Sequence, residues 1–312
     1  MLFLCLSNVK EEGKMNKIYP NYSEAEKAIG ATFKFLRESK GFSQEEAAGD
    51  EISSPQLSNF ENGKTILVTN HFIALLRNIN VDMFEFQNAY NQYLRNKDIL
   101  LFSVKLSDAV MERDISKLKL FSKNLEKLLE SDPHNKTLKL DSIRIKSVLS
   151  FVDKTCVITK NEQSFLISYL FNLKEWGMYD IRLLGTCAQF IDLIKLAELT
   201  NRMIDPSQIN IELYHVKHAV VQCVLNIINI FVEQKMFEPA RRLILYLENS
   251  EIHEYFMFDK LTLIYNRANY SYKRGDSDAL EIMEQCLKVL EFCGCSKTAT
   301  QVSDELKNLE KE

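Results

Sequence analysis

Between Gly41 and Gly63 the chain has room for little besides two short helices joined by a tight turn. Ser43 is a good N-cap, and Glu46 stands at the third helical position, where its carboxylate returns the hydrogen bond of a capping box. Gly49 and Asp50 break that helix after barely two turns. Ser54 is then expected to cap a second helix, with Pro55 at its first position, where no backbone N–H is needed. Leu57 and Phe60 share one face of this helix at i, i+3 spacing, while Gln56, Ser58 and Asn59 point elsewhere. Gly63 ends it.

A short helix with an apolar inner face and Gln, Ser and Asn outside suits the major groove of DNA. Gln and Asn each present a donor beside an acceptor and so match an adenine edge. The predicted groove-facing residues are Ser54, Pro55, Gln56, Ser58 and Asn59, with Gln56 and Asn59 on base edges. Arg37, Gln44 and Lys64 are expected to hold phosphates. The neighbouring segments support this reading. Ser23 and Glu26 form another capping-box pattern, and Ile29, Phe33 and Leu36 make an apolar stripe with Lys34, Arg37 and Lys40 opposite. Phe72, Leu75, Leu76 and Ile79 supply a fourth helix that Asn80 stops, and a fifth begins near Asp82. Five short helices in this order resemble a helix-turn-helix domain of the Xre/Cro type. The run Ile52-Ser-Ser-Pro-Gln-Leu-Ser-Asn-Phe-Glu-Asn-Gly-Lys64 more specifically resembles the Rgg family of Gram-positive transcription regulators, although that family often carries Arg or Lys where this chain has Asn59.

The rest of the composition bounds the alternatives. A chain of 312 residues with 46% hydrophobic residues, nine Gly and five Pro has enough apolar material for two domains and too few turn residues for a β protein. The expected fold is all-α. A net charge of −4 excludes general nucleic-acid coating, and the first hundred residues are not globally basic either, so DNA contact must rely on a local edge. Seven Cys without an export signal point to reduced thiols in a cytoplasm. Cys293 and Cys295 are the one close pair, and no further ligands stand near enough for a metal site. Met1 to Leu6 is apolar but far too short to span a membrane, and Met15 is the expected native start. No glycine-rich phosphate loop, H-E-x-x-H or Ser/His/Asp grouping occurs, so neither an enzyme nor a cofactor is expected.

Residues 15–95 thus read as the DNA-binding domain. A polar joint covers Arg95 to Asp98, and residues 99–312 read as a second, helical domain. Its turns are predicted at Ser131–Pro133, near Lys160, at Trp176–Met178, Asp205–Pro206, Lys235–Met236, Asn249–Ser250 and Gly275–Asp276. A repeat is visible. Asn226 to Ala240 lies over Asn266 to Ala279 with one residue deleted at the turn, and Tyr169 to Ile181 is a fainter copy. Both stronger copies resemble the centre of a tetratricopeptide repeat, at a period of about forty residues. Such pairs stack into a right-handed superhelix with a concave face.

Helix-turn-helix domain followed by tetratricopeptide-like pairs is the arrangement of the Rgg group. The resemblance implies a cytoplasmic regulator that binds double-stranded promoter DNA as a homodimer and senses a short imported signalling peptide. Asn is a poor helix former, so Asn226, Asn229, Asn266 and Asn269 at matching positions ask for a reason. Their amides match the N–H and C=O of an extended peptide, with Ile230, Tyr265 and Tyr270 choosing among sequences and Arg144 or Arg182 meeting a carboxylate. The competing role for these Asn residues is to cross-link adjacent helices within the stack. Leu280 to Phe292 and Ile99 to Leu106 are candidate dimer surfaces. Two further functions stay open: helical repeats that dock a protein partner, and a repressor switched by one of the thiols.

Overall fold

A computed structural model of the chain describes residues 22–96, 105, 106, 108, 109, 114–150, 153, 156–207 and 214–309. The Met15 start, the apolar residues 1–6, the joint at 97–98, the side chains of Ser23 and Glu26 and most of the 99–106 segment lie outside the described residues. The chain divides into two compact units, one carrying everything from Ile115 and the other carrying the helices before it. Every regular element among the described residues is helical.

The first unit holds α1 (Tyr22–Ser39), α2 (Gln44–Ala48), α3 (Ser54–Glu61), α4 (Thr69–Asn78) and α5 (Met83–Asn96). Its core is Phe33, Leu57, Phe60, Leu75, Ile79 and Phe86, with aromatic edges meeting from Phe60 to Phe72 and from Phe72 to Phe86. The capping box at α2 is present, with Ser43 N donating to Glu46 Oε2 at 2.7 Å and Gly49 turning the chain at φ 52°. At α3 the cap lies one residue earlier than expected. Ser53 is the N-cap, because Gln56 at its third position can return the bond, whereas Leu57, third after Ser54, cannot. Asn80 stops α4 with φ 54°, a conformation Asn tolerates better than most residues. Gly30 lets α1 press onto the end of α3. A Cβ at that position would overlap the Phe60 carbonyl oxygen.

The second unit begins with α6 (Ile115–Ser131) and continues through α7 (Lys136–Leu149), α8 (Lys160–Phe171), α9 (Met178–Cys187) and α10 (Leu193–Met203). It ends with α11 (Tyr214–Glu233), α12 (Phe237–Glu248), α13 (Met257–Lys273), α14 (Ala279–Phe292) and α15 (Ser296–Leu309). Alternate helices are spatial neighbours: α7, α9, α11 and α13 form one row, each touching the next. Helical hairpins such as α11–α12 and α13–α14 link this row to the other. This is the stack of helical pairs that the repeat predicts. One apolar core runs from α7 to Tyr270 of α13, and a second joins α13, α14 and α15.

Two details of the repeat differ from expectation. The turn near Lys160 falls just before that residue, since Thr159 caps α8 in a box with Glu162. Tyr169–Ile181 is a copy in the wrong phase: it spans the turn from α8 into α9, whereas the two stronger copies span the turn within a hairpin. The missing hairpin turn is Ala188–Asp192, which contains no Gly or Pro to announce it. Helix α11 is long and apolar enough to cross a membrane by length and composition, but most of it is buried within the domain, as a core helix requires.

Candidate functional site

Pro55, Gln56 and Asn59 stand exposed on α3 with Ser54 and Ser58 half-buried beside them, while Leu57 and Phe60 fill the core. The groove-facing residues expected from the sequence therefore share one surface. Gln56 is not wholly available, because its Oε1 accepts from Ser53 N at 3.0 Å and from the Ser53 hydroxyl at 3.1 Å. Reading a base edge in bidentate fashion would require it to leave the capping box. Asn59 carries no such duty among these bonds, and Lys64 is exposed close to the end of α3.

Arg37 and Gln44 are placed differently from the expectation that they hold phosphates. Arg37 is only 6% exposed, and its guanidinium forms a two-pronged pair with Glu61, through Nε to Oε1 and through Nη2 to Oε2 at 3.0 Å. Its Nη1 donates to the Phe42 carbonyl at 2.7 Å. Gln44 Nε2 donates to the same Glu61 carboxylate at 2.8 Å. Three helices are thus tied at one buried carboxylate, which holds the Arg37 guanidinium above its ordinary pKa against the opposing effect of burial. Sequence reasoning missed Glu61, although its signal was present: it follows Leu57 by four residues and so lies on the apolar stripe of α3. A charge on a core stripe needs a buried partner.

In the second unit the first Asn of each pair is spent on the stack itself. Asn226 Nδ2 donates to the Gly185 carbonyl of α9 at 2.8 Å, and Asn266 Nδ2 donates to the Leu225 carbonyl of α11 at 2.9 Å. Both bonds span 41 residues, so one device is repeated along the row. Asn269 is buried and donates to Glu233 Oε1 at 3.1 Å, leaving its own Oδ1 without a hydrogen bond. Asn229 is half-buried. Of the apolar selectors, Tyr270 packs edge-on against Phe237 and Tyr265 is buried in the C-terminal core, so neither offers an open face; Ile230 is half-buried.

Arg144 and Arg182 lie on adjacent helices of the same row. Arg144 is 6% exposed, and its Nε has no hydrogen-bond partner. Burial lowers the pKa of its guanidinium, and Asp141 partly restores it. Tyr179 of α9 donates to Asp141 Oδ1 at 3.2 Å, and Arg182 is exposed. The thiols are mostly sequestered. Burial pushes Cys187 up to about 11 and Cys223 up to about 12, which suppresses the reactive thiolate. Cys293 alone is exposed among the described cysteines.

The comparisons with known proteins agree with this architecture. The crystal structure of a cysteine-to-serine variant of the Streptococcus dysgalactiae SHP pheromone receptor Rgg2 is similar with a TM-score of 0.72 and 25% identity, over 90% of this chain and 99% of that one. PrgX in complex with cCF10 shares the fold at 14% identity and a TM-score of 0.70, over 91% and 92% of the two chains. Residues 122–304 match the family described as the C-terminal domain of the HTH-type transcriptional regulator Rgg, a match that covers more than half of the sequence. The chain therefore belongs to the Rgg family of helix-turn-helix transcriptional regulators.

Proposed function

We propose that this protein is a cytoplasmic, sequence-specific transcription regulator whose DNA binding is controlled by a short imported signalling peptide. Residues 15–95 would form the DNA-binding domain, and residues 99–312 the peptide-binding and dimerising domain. The observation that carries the peptide reading is the row α7, α9, α11 and α13, which presents polar groups that the fold itself does not use. Arg144 Nε is a buried donor and Asn269 Oδ1 a buried acceptor, and neither has a partner. Buried polar groups in native proteins are nearly always paired, and an extended peptide supplies both kinds of partner. The similarity to Rgg2, a pheromone receptor, points the same way. Arg182 and Asn229 join the candidate groove; Asn226, Asn266, Tyr265 and Tyr270 support it from within the stack.

Pairing on two half-sites is how helix-turn-helix proteins gain affinity. For a homodimer the exposed face of α14 is the available surface, with Ile282, Val289 and Phe292, the last 92% exposed. The decisive experiment is to pull down small peptides from native cytoplasm on the purified protein and identify them by mass spectrometry. A bound oligopeptide that changes operator affinity supports the reading. Capture of a folded protein and no peptide would favour the protein-docking alternative.

The recognition helix is tested separately. Asn59→Ala is expected to weaken operator binding by about 1–3 kcal/mol and to relax preference at one base pair, because it removes a base contact and nothing from the fold. Gln56→Ala is a poorer probe, since it also removes the bond that Gln56 returns to the Ser53 N–H in the capping box of α3. Unchanged affinity and preference in Asn59→Ala, measured by gel shift at fixed salt, would move the reading face of α3 elsewhere.

A further inference from the structure

Arg144 of α7 is a charge that the fold leaves uncompensated. It is only 6% exposed, yet its guanidinium makes no hydrogen bond and no ion pair among the described residues, and its Nε is buried outright. Buried guanidinium groups in native proteins are normally paired, often with a carboxylate that accepts two parallel bonds. Arg37 of the first unit has that arrangement, with Glu61 as the acceptor. Arg144 has no such acceptor. Asp141, one turn earlier on α7, attracts the guanidinium without bonding to it, and Asp141 Oδ1 already accepts from the Tyr179 hydroxyl at 3.2 Å. A second guanidinium, Arg182 of α9, is near enough to repel Arg144, and it is exposed and forms no ion pair among the described residues. Tyr179 and Arg182 lie one turn apart on α9 and are both exposed, so Arg144 is approached from the surface beside them.

Two guanidinium groups thus face one carboxylate. Arginine stays protonated in proteins, so the positive excess does not depend on a titration state. Ionised Asp141 leaves one charge over, and protonated Asp141 would leave both. The sign of an occupant follows from this excess, and its shape follows from the donors. A backbone carbonyl can accept from Arg144 Nε but does nothing for the charge. A carboxylate does both, since its two coplanar oxygens can bridge two guanidinium groups or take one of them as a fork. From this we infer that Arg144 and Arg182 form an anion site that takes a carboxylate of the regulatory peptide, and so fix one point of that peptide against α7 and α9. The C-terminal group of a peptide and an acidic side chain present the same chemistry to the site. That the carboxylate belongs to a peptide rests on the peptide reading above; the anion site itself does not. Asp141 opposes this occupant, because its charge lowers the potential at Arg144.

The test uses the full-length protein at low ionic strength and three small probes, titrated by saturation-transfer NMR. N-acetyl-leucine carries only an α-carboxylate, the α-amide of N-acetyl-aspartate only a side-chain carboxylate, and N-acetyl-leucinamide neither. At least one carboxylate probe is expected to bind about tenfold or more tightly than the neutral amide, and the tighter of the two names the source. Arg144→Met, which keeps an unbranched side chain and removes the charge, is expected to erase that preference while thermal stability is kept or raised. Asp141→Asn is expected to strengthen binding of the carboxylate probes. Equal binding of all the probes, a preference that survives Arg144→Met, weaker carboxylate binding in Asp141→Asn, or no carboxylate binding at tens of millimolar overturns the proposal. The probes are read without any peptide, so a failed anion site and a failed pull-down are separate results.

Discussion

Replacing Glu61 by Ala is expected to destabilise the helix-turn-helix unit by about 3–5 kcal/mol and, on the proposed function, to abolish operator binding at physiological temperature. The side chain is fully buried and serves two helices at once, accepting two bonds from Arg37 of α1 and one from Gln44 of α2. Its removal leaves the Arg37 guanidinium charged, dehydrated and unpaired on its Glu61 side, which costs far more than the ion pair itself contributes. A domain stability of roughly 5–15 kcal/mol makes this a large fraction of the total. The same reasoning gives a compensating variant. Arg37→Met combined with Glu61→Leu removes both charges and keeps the volume, and should recover much of the lost stability. Because the pair is buried, the effect of Glu61→Ala should change little between low and high salt. Denaturant unfolding of the full chain, followed on the first unit by hydrogen exchange, would check it. A loss under about 1 kcal/mol, the range of an exposed pair, would show that Arg37 and Glu61 do not hold the three helices together.

The helix-turn-helix unit was legible because its turns are written in residues whose backbone preferences are strong and local. Ser43 with Glu46, Gly49, Pro55 and Asn80 each fix one bend without help from the rest of the chain. The Ser53 cap was missed by one position because two adjacent serines compete, and the choice depends on whether the residue three places on can return a bond. Arg37 misled for a different reason. A basic residue opposite an apolar stripe looks like a phosphate contact, and only the presence of a carboxylate on the core face of another helix, 24 residues away, turns it inward. The helical pairs were visible through the period of their Asn residues. The role of those residues was not, since cross-linking a stack and lining a groove ask for the same amide.

Asn266→Asp is expected to cost roughly 3–5 kcal/mol at neutral pH, although the two side chains have nearly the same shape. Asn266 is 4% exposed, and its amide nitrogen sits 2.9 Å from the Leu225 carbonyl oxygen. The substitution puts a carboxylate oxygen where that donor stood, facing another oxygen with no water to separate them. The sign of the pH dependence follows. Burial and repulsion raise the folded-state pKa of the new carboxyl above the unfolded value of about 3.9. Relative to its stability at neutral pH, the variant is therefore stabilised by protonation: the gain is complete below the unfolded pKa and is lost as pH rises through the raised folded value. Below that range the protonated carboxyl can donate to the Leu225 carbonyl as the amide did, so the deficit against the parent should shrink on acidification. Asn226→Asp makes the same exchange against the Gly185 carbonyl but at an exposed position, where water screens it, and should cost far less. If the Asn residues instead line the peptide groove and take no part in the stack, the two Asp variants would melt alike, near the parent, and differ only in peptide binding. A large acid-reversible loss confined to Asn266→Asp would identify this residue as the clamp between α11 and α13, and would leave Asn229, Asn269, Arg144 and Arg182 to meet the proposed peptide.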